Sequence, residues 1–155
     1  MRIALEKLEK YLSLLEHKIS QFKILNSPVS KGSVGWHTEH TLLTIDLIID
    51  ALKNSVAENY KWKFNLLRLV VFTTRKIPRG KAQSPEVVVP KGNITAESLK
   101  AHIYQTKEKL KELNSIHAKQ YFRHPFFGNL RLKQTIKFLE IHTNHHMKIM
   151  NDILK

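Results

Sequence analysis

Ile3, Leu5, Leu8, Leu12, Leu15, Ile19 and Phe22 recur mostly at three- and four-residue steps. That period puts apolar side chains on one face of an α-helix, and a helix so patterned must bury that face against a partner. A first helix is therefore expected over residues 2–25. "NSPVSKGSVG", with Pro28, Gly32 and Gly35, breaks it. A second helix is expected from Trp36 to Asn54, where "LLTIDLIIDAL" is apolar around most of its circumference. "KWKFNLLRLVVFTTRK" (61–76) carries a β-branched run, but its length favours a helix and no partner strand is evident.

"IPRGKAQSPEVVVPKG" follows, with three prolines and two glycines, and reads as an extended loop. It is longer than most connections, and long loops are often functional. A fourth helix begins at Asn93 or Thr95. Ser98 stands where a capping box would have Glu, so Glu97 is expected only to favour the helix dipole. "YFRHPFFGN" reads as an aromatic loop. A last helix, from about Leu130 to Leu154, presents Leu132, Ile136, Leu139, Met150 and Ile153 on one face. The expected architecture is one all-α domain over residues 1–155, with four long helices and one shorter one arranged as a bundle.

A chain of 155 residues buries a continuous core without staples. It contains no cysteine, which removes disulfides, thiolate metal sites and a cysteine nucleophile. The N-terminus lacks a signal-peptide pattern and no apolar run approaches a membrane span, so a cytoplasmic protein without a membrane partner is the default. The formal charge of +13 attracts polyanions. Yet the lysines are spread along nearly every segment, and the densest group, "RKIPRGK", holds only four basic residues. No RRM-like, zinc-finger or helix-turn-helix pattern is present, so no specific nucleic-acid partner is expected.

The histidines are more telling. His142 and His146 are four apart and share one helix face with Phe138, Leu139, Ile149 and Met150, so both imidazoles point inward. An i, i+4 imidazole pair suits a borderline divalent cation. His40, on the face of Trp36, Leu43 and Leu47, supplies a third ligand. His37, beside Thr41 and Thr44, looks more peripheral and is the alternative to His40. His145 lies one residue off the line, as an outer neighbour or facing water. Three imidazoles leave a position open for water or substrate, as in catalytic sites. The bland alternative is a set of hydrogen-bonded core histidines, but only Thr44, Thr143 and Asn144 stand near to satisfy them. His17, His102 and His117 lie in polar stretches and are expected on the surface.

A histidine in the second helix with "HTNHH" in the last resembles the DinB/YfiT-like superfamily of metal-dependent enzymes. "HPFFGNLRLKQTIKFLEIHTNHHMKI" is similar to a branch in which an "HP.FG.L" loop leads into the histidine helix; "GWHTEH" and "IPRGKAQSP" are its other specific parts. The resemblance spans essentially the whole chain. It implies an up-down-down-up four-helix bundle holding zinc or nickel, with iron or manganese as further options, on His40, His142 and His146. One departure stands out: many members place the helix-two histidine two turns after the tryptophan, where this chain has Thr44. The resemblance further implies hydrolase or thiol-dependent transferase chemistry on a small molecule, with a low-molecular-weight thiol as one cosubstrate, and a homodimer, to which the broadly apolar second helix also points. Within that reading Arg79 and Lys81 suit an anionic substrate group, His124 donates a proton or orients the substrate, and Phe126 and Phe127 wall the site. The alternatives are a non-catalytic basic binding module and a degenerate scaffold without metal.

Overall fold

The computed structural model describes residues 2–80 and 83–155. The chain is mostly helical. Helix α1 (Arg2–His17) buries Leu8, Leu12 and Leu15 completely. It stops well before residue 25, and a short 3-10 turn over Ile19–Gln21 continues the apolar stripe. The first amides of the next helix find acceptors in the connection: the Val34 N–H donates to the Ile24 carbonyl (3.0 Å) and the Gly35 N–H to the Phe22 carbonyl (2.8 Å). A Cβ at position 35 would sit 3.0 Å from that Phe22 oxygen, so the close approach favours glycine.

Helix α2 (Val34–Lys53) is capped by Ser33, whose Oγ accepts from the Trp36 N–H. It is buried on most sides, as its composition predicts, although Leu47 stays 40% exposed. Its buried threonines satisfy themselves: the hydroxyls of Thr38, Thr41 and Thr44 donate to the carbonyls of Val34, His37 and His40 at 2.7–2.9 Å. Helix α3 (Leu66–Thr74) is only nine residues long, because Asn65 caps its start and Arg75 ends it in the left-handed region (φ 55°). The rest of the 61–76 stretch is therefore not helical.

Helix α4 (Ala96–Lys111) corrects one expectation about its start. Thr95 and Ser98 form a reciprocal capping box after all: the Thr95 Oγ1 accepts from the Ser98 N–H, and the Thr95 N–H donates to the Ser98 Oγ, each at 3.0 Å. A serine hydroxyl reaches back as well as the expected glutamate.

The largest correction concerns "YFRHPFFGN", which is not a plain loop. Strands β1 (Tyr121–His124) and β2 (Gly128–Arg131) form an antiparallel hairpin, so the domain is not all-α. The three-residue turn 125–127 is closed by Gly128 at φ 71°, the left-handed position such turns use. The hairpin leads directly into α5 (Leu132–Ile153), whose expected face is buried throughout.

The four long helices form a closed circuit: α1 packs on α4 and α5, and α2 packs on the same two. The core between them includes Leu42, Ile45, Leu99, Ile136 and Leu139, all essentially without solvent contact. Each such side chain contributes about 1.5–3 kcal/mol of transfer free energy. The hairpin packs beside the end of α2, where the Tyr121 N–H donates to Ser55 Oγ and the Gln120 amide to the Lys53 carbonyl (each 3.0 Å), and both the hairpin and α3 pack on α5. Buried Arg68 of α3 ties them together, donating to the carbonyls of Lys63 (2.8 Å) and Phe127 (3.2 Å), and Asn65 donates to Phe126 (2.8 Å). Among the described residues no helix is long and apolar enough to cross a membrane.

Candidate metal centre

The first turns of α2 supply two imidazoles and the middle of α5 supplies three. His40, His142 and His146 each offer one nitrogen, and these atoms lie within 4.8 Å of one another. The His40 ring centroid is 5.3 Å from that of His142 and 4.7 Å from that of His146, and the latter two are 4.6 Å apart. Nitrogens on a tetrahedral zinc ion stand about 3.3 Å apart, so the rings need draw in by only ~1.5 Å to share one.

The surroundings of His40 fix which of its nitrogens faces that point. His40 Nδ1 lies 2.7 Å from the Val88 carbonyl, which can only accept, so Nδ1 carries the proton and Nε2 presents a lone pair. Trp36 stacks on the same ring with planes 8° apart, which locks its rotation. His37 is buried, not peripheral as expected: its Nδ1 is 2.9 Å from His146 Nδ1, and its Nε2 is 2.8 Å from the Ser30 Oγ. We assign the proton of His146 to Nδ1, donating to His37, whose own Nε2–H donates to Ser30. This relay leaves His146 Nε2 free. His37 thus stands behind a ligand, which leaves the position of third ligand to His40.

Burial depresses every imidazole here. Those of His142 and His146 titrate well below the usual histidine range, and His40 is lowered too, against the raising effect of its bond to Val88. Burial brings His37 and His145 down to about 4, helped by neighbouring imidazoles and by the Arg79 charge. All are neutral near pH 7, the form in which imidazole coordinates metal. His142 Nδ1 gives the sharpest indication, for it is sealed from solvent and has no hydrogen-bond partner. Either the atom is a metal ligand or the core carries an uncompensated polar atom costing about 1–3 kcal/mol. The donor set therefore fits a divalent cation.

No family model, curated protein or solved structure matches this chain. What the site can do is therefore read from its own chemistry.

The histidines line a cavity of about 620 Å³ together with residues of α3, of 77–80 and 83–88, and of the hairpin. His124 lies on its wall, stacked on Phe127 at 4.2 Å and edge-on to Phe138. Its Nδ1 accepts from the N–H groups of Phe126 and Phe127, so its proton resides on Nε2. Burial lowers its pKa to about 4. Phe126 and Phe127 wall the cavity as expected. Arg79 does not reach into the space: its guanidinium pairs with Asp152 near the end of α5 at 2.8 Å, while its neighbours Pro78 and Gly80 form the wall. Lys81 lies outside the described residues.

A second histidine was also misjudged from sequence. His102 of α4 is no surface residue. It is clamped against α2, Nδ1 3.0 Å from the Glu39 carboxylate and Nε2 3.2 Å from Asp46. Glu39 and Asp46 stand seven apart, two turns along one helix face, and that spacing was the available signal. His17 and His117 are exposed, as expected.

Proposed function

We propose that this chain is a divalent-metal-dependent enzyme of the hydrolase or thiol-transferase type, built on a DinB/YfiT-like four-helix scaffold. The observation that carries the reading is the convergence of His40, His142 and His146 on the wall of a ligand-sized cavity. Zinc or nickel suits this all-imidazole set best, with iron and manganese as further options. When bound, the ion supplies Lewis acidity, lowering the pKa of a water or thiol at its open position.

The protein's own residues do the remaining work. Neutral His40, His142 and His146 bring no negative charge, so the cation keeps its full charge toward substrate. Val88 and the His37–Ser30 pair hold two of the rings in register. His124, neutral near pH 7, orients a substrate through its Nε2–H; its low pKa suits it poorly to proton donation. Arg79 anchors the 77–80 segment to α5. With no cysteine in the chain, any thiol arrives as a cosubstrate. Cytoplasmic residence and a homodimer belong to the same proposal, though α2 spends its apolar surface inside the domain. Exposed apolar residues on or beside α3 include Trp62, Phe64, Leu66 and Leu69.

The test is elemental analysis of tag-free protein dialysed against zinc or nickel and then against buffer. One ion per chain is expected, falling to background in His142→Ala and His146→Ala. Protein that retains no ion, or variants that retain it undiminished, would refute the reading. Salt-sensitive, chelator-indifferent binding of a polyanion would favour the basic-module alternative.

A further inference from the structure

We infer that the cavity takes a neutral, largely apolar small molecule bearing one electron-pair donor group, inserted head first toward the histidines. This deepens the metal-enzyme reading, and its ligand differs from the anionic substrate that Arg79 suggested.

The inference rests on how polarity is distributed around the space. His40, His142 and His146 stand together on the wall. Most of the rest is apolar, with Ile48, Leu67, Val71, Ile77, Phe126 and Phe138 among it. Leu67 and Phe126 are also half exposed, which makes them the mouth. A cavity of about 620 Å³ lies within the range that buries most of a drug-sized ligand, and apolar walls with a few convergent polar groups are how such sites select orientation.

The cations nearby do not alter this. Arg68 is buried and spent on backbone carbonyls, Arg75 is paired with Glu140, and Arg79 with Asp152. Arg123 is the sole lysine, arginine or carboxylate residue among the described wall residues, and it is exposed. An anionic ligand body would lie mostly against aliphatic and aromatic groups, with the exposed Arg123 as the one cationic side chain among the described wall residues, a costly burial. An alkyl or aryl body gains from the same wall.

The experiment titrates butyro-, hexano- and octanohydroxamic acid into the full-length protein by calorimetry, once after chelator treatment and once after zinc loading. Hydroxamic acids are neutral near pH 7 and carry one chelating head. Affinity should rise about fourfold per buried methylene in both preparations, with zinc adding a constant factor across the series. The octanoyl analogue ending in a carboxylate should bind at least tenfold more weakly than octanohydroxamic acid. Leu67→Glu, and independently Phe126→Ser, should flatten the length dependence while sparing the butyro compound. Affinity independent of chain length, or a carboxylate-tailed compound that binds tighter and loses its advantage in Arg123→Ala, overturns the inference. Zinc that adds nothing sinks the metal reading alone, because the chain-length series in chelated protein still decides this one.

Discussion

Replacing His102 by Gln removes a cation held between two carboxylates, and the consequence for stability depends on pH in a calculable way. Burial alone pulls the His102 pKa down, but hydrogen bonds and charge attraction from Asp46 and Glu39 outweigh it and raise the value from 6.5 to about 9. The folded state therefore holds a proton that the unfolded chain releases near pH 6.5. By linkage this stabilisation is fully present below pH 6.5, declines as pH rises, and is gone above pH 9. The difference corresponds to about 3 kcal/mol, and roughly 2–3 kcal/mol after a discount for the part of the cluster that water reaches. The discount is modest because the side chains are only 16% and 21% exposed. Urea unfolding of wild type and His102→Gln at pH 6 and pH 9.5 measures it. The variant should be weaker by roughly 2–3 kcal/mol more at pH 6 than at pH 9.5, and general titration of the lysines cancels in the comparison. A gap of equal size at both pH values, or one that widens as pH rises, would refute the ion-clamp account.

Two further outcomes follow from the same geometry. His37→Ala should weaken zinc binding by about 10–100-fold in competition with a chromophoric chelator, without abolishing it, because His37 supports His146 from behind; unchanged affinity would show that the relay does not orient the ligand. Arg75→Ala should cost roughly 1–3 kcal/mol in urea unfolding, since it leaves the buried Glu140 carboxylate with only the Lys7 ammonium at 3.3 Å; a neutral result would mean that Lys7 or solvent compensates fully.

Much of this architecture is written in local pattern. The stripes of α1 and α5, the apolar circumference of α2 and the capped start of α4 follow from periodicity and from the orphan groups at helix ends, both short-range properties. The inward aim of His142 and His146 follows from the same arithmetic, since four residues along a helix return to the same face. The hairpin was masked because "YFRHPFFGN" is too short to show alternation, and its pairing depends on a left-handed Gly128.

What the sequence alone determines, then, is roughly where the long helices run and which face of each is apolar. It does not determine which polar side chains meet across helices, because such meetings depend on the register and rotation of two elements far apart in the chain. His37 looked peripheral until α5 set His146 against it across 109 residues; His102 looked like a solvated histidine until α2 offered two carboxylates. Arg79 pairs with Asp152, 73 residues away. Packing of the apolar faces sets the helix positions, and the polar partners are whatever that packing brings within about 3 Å.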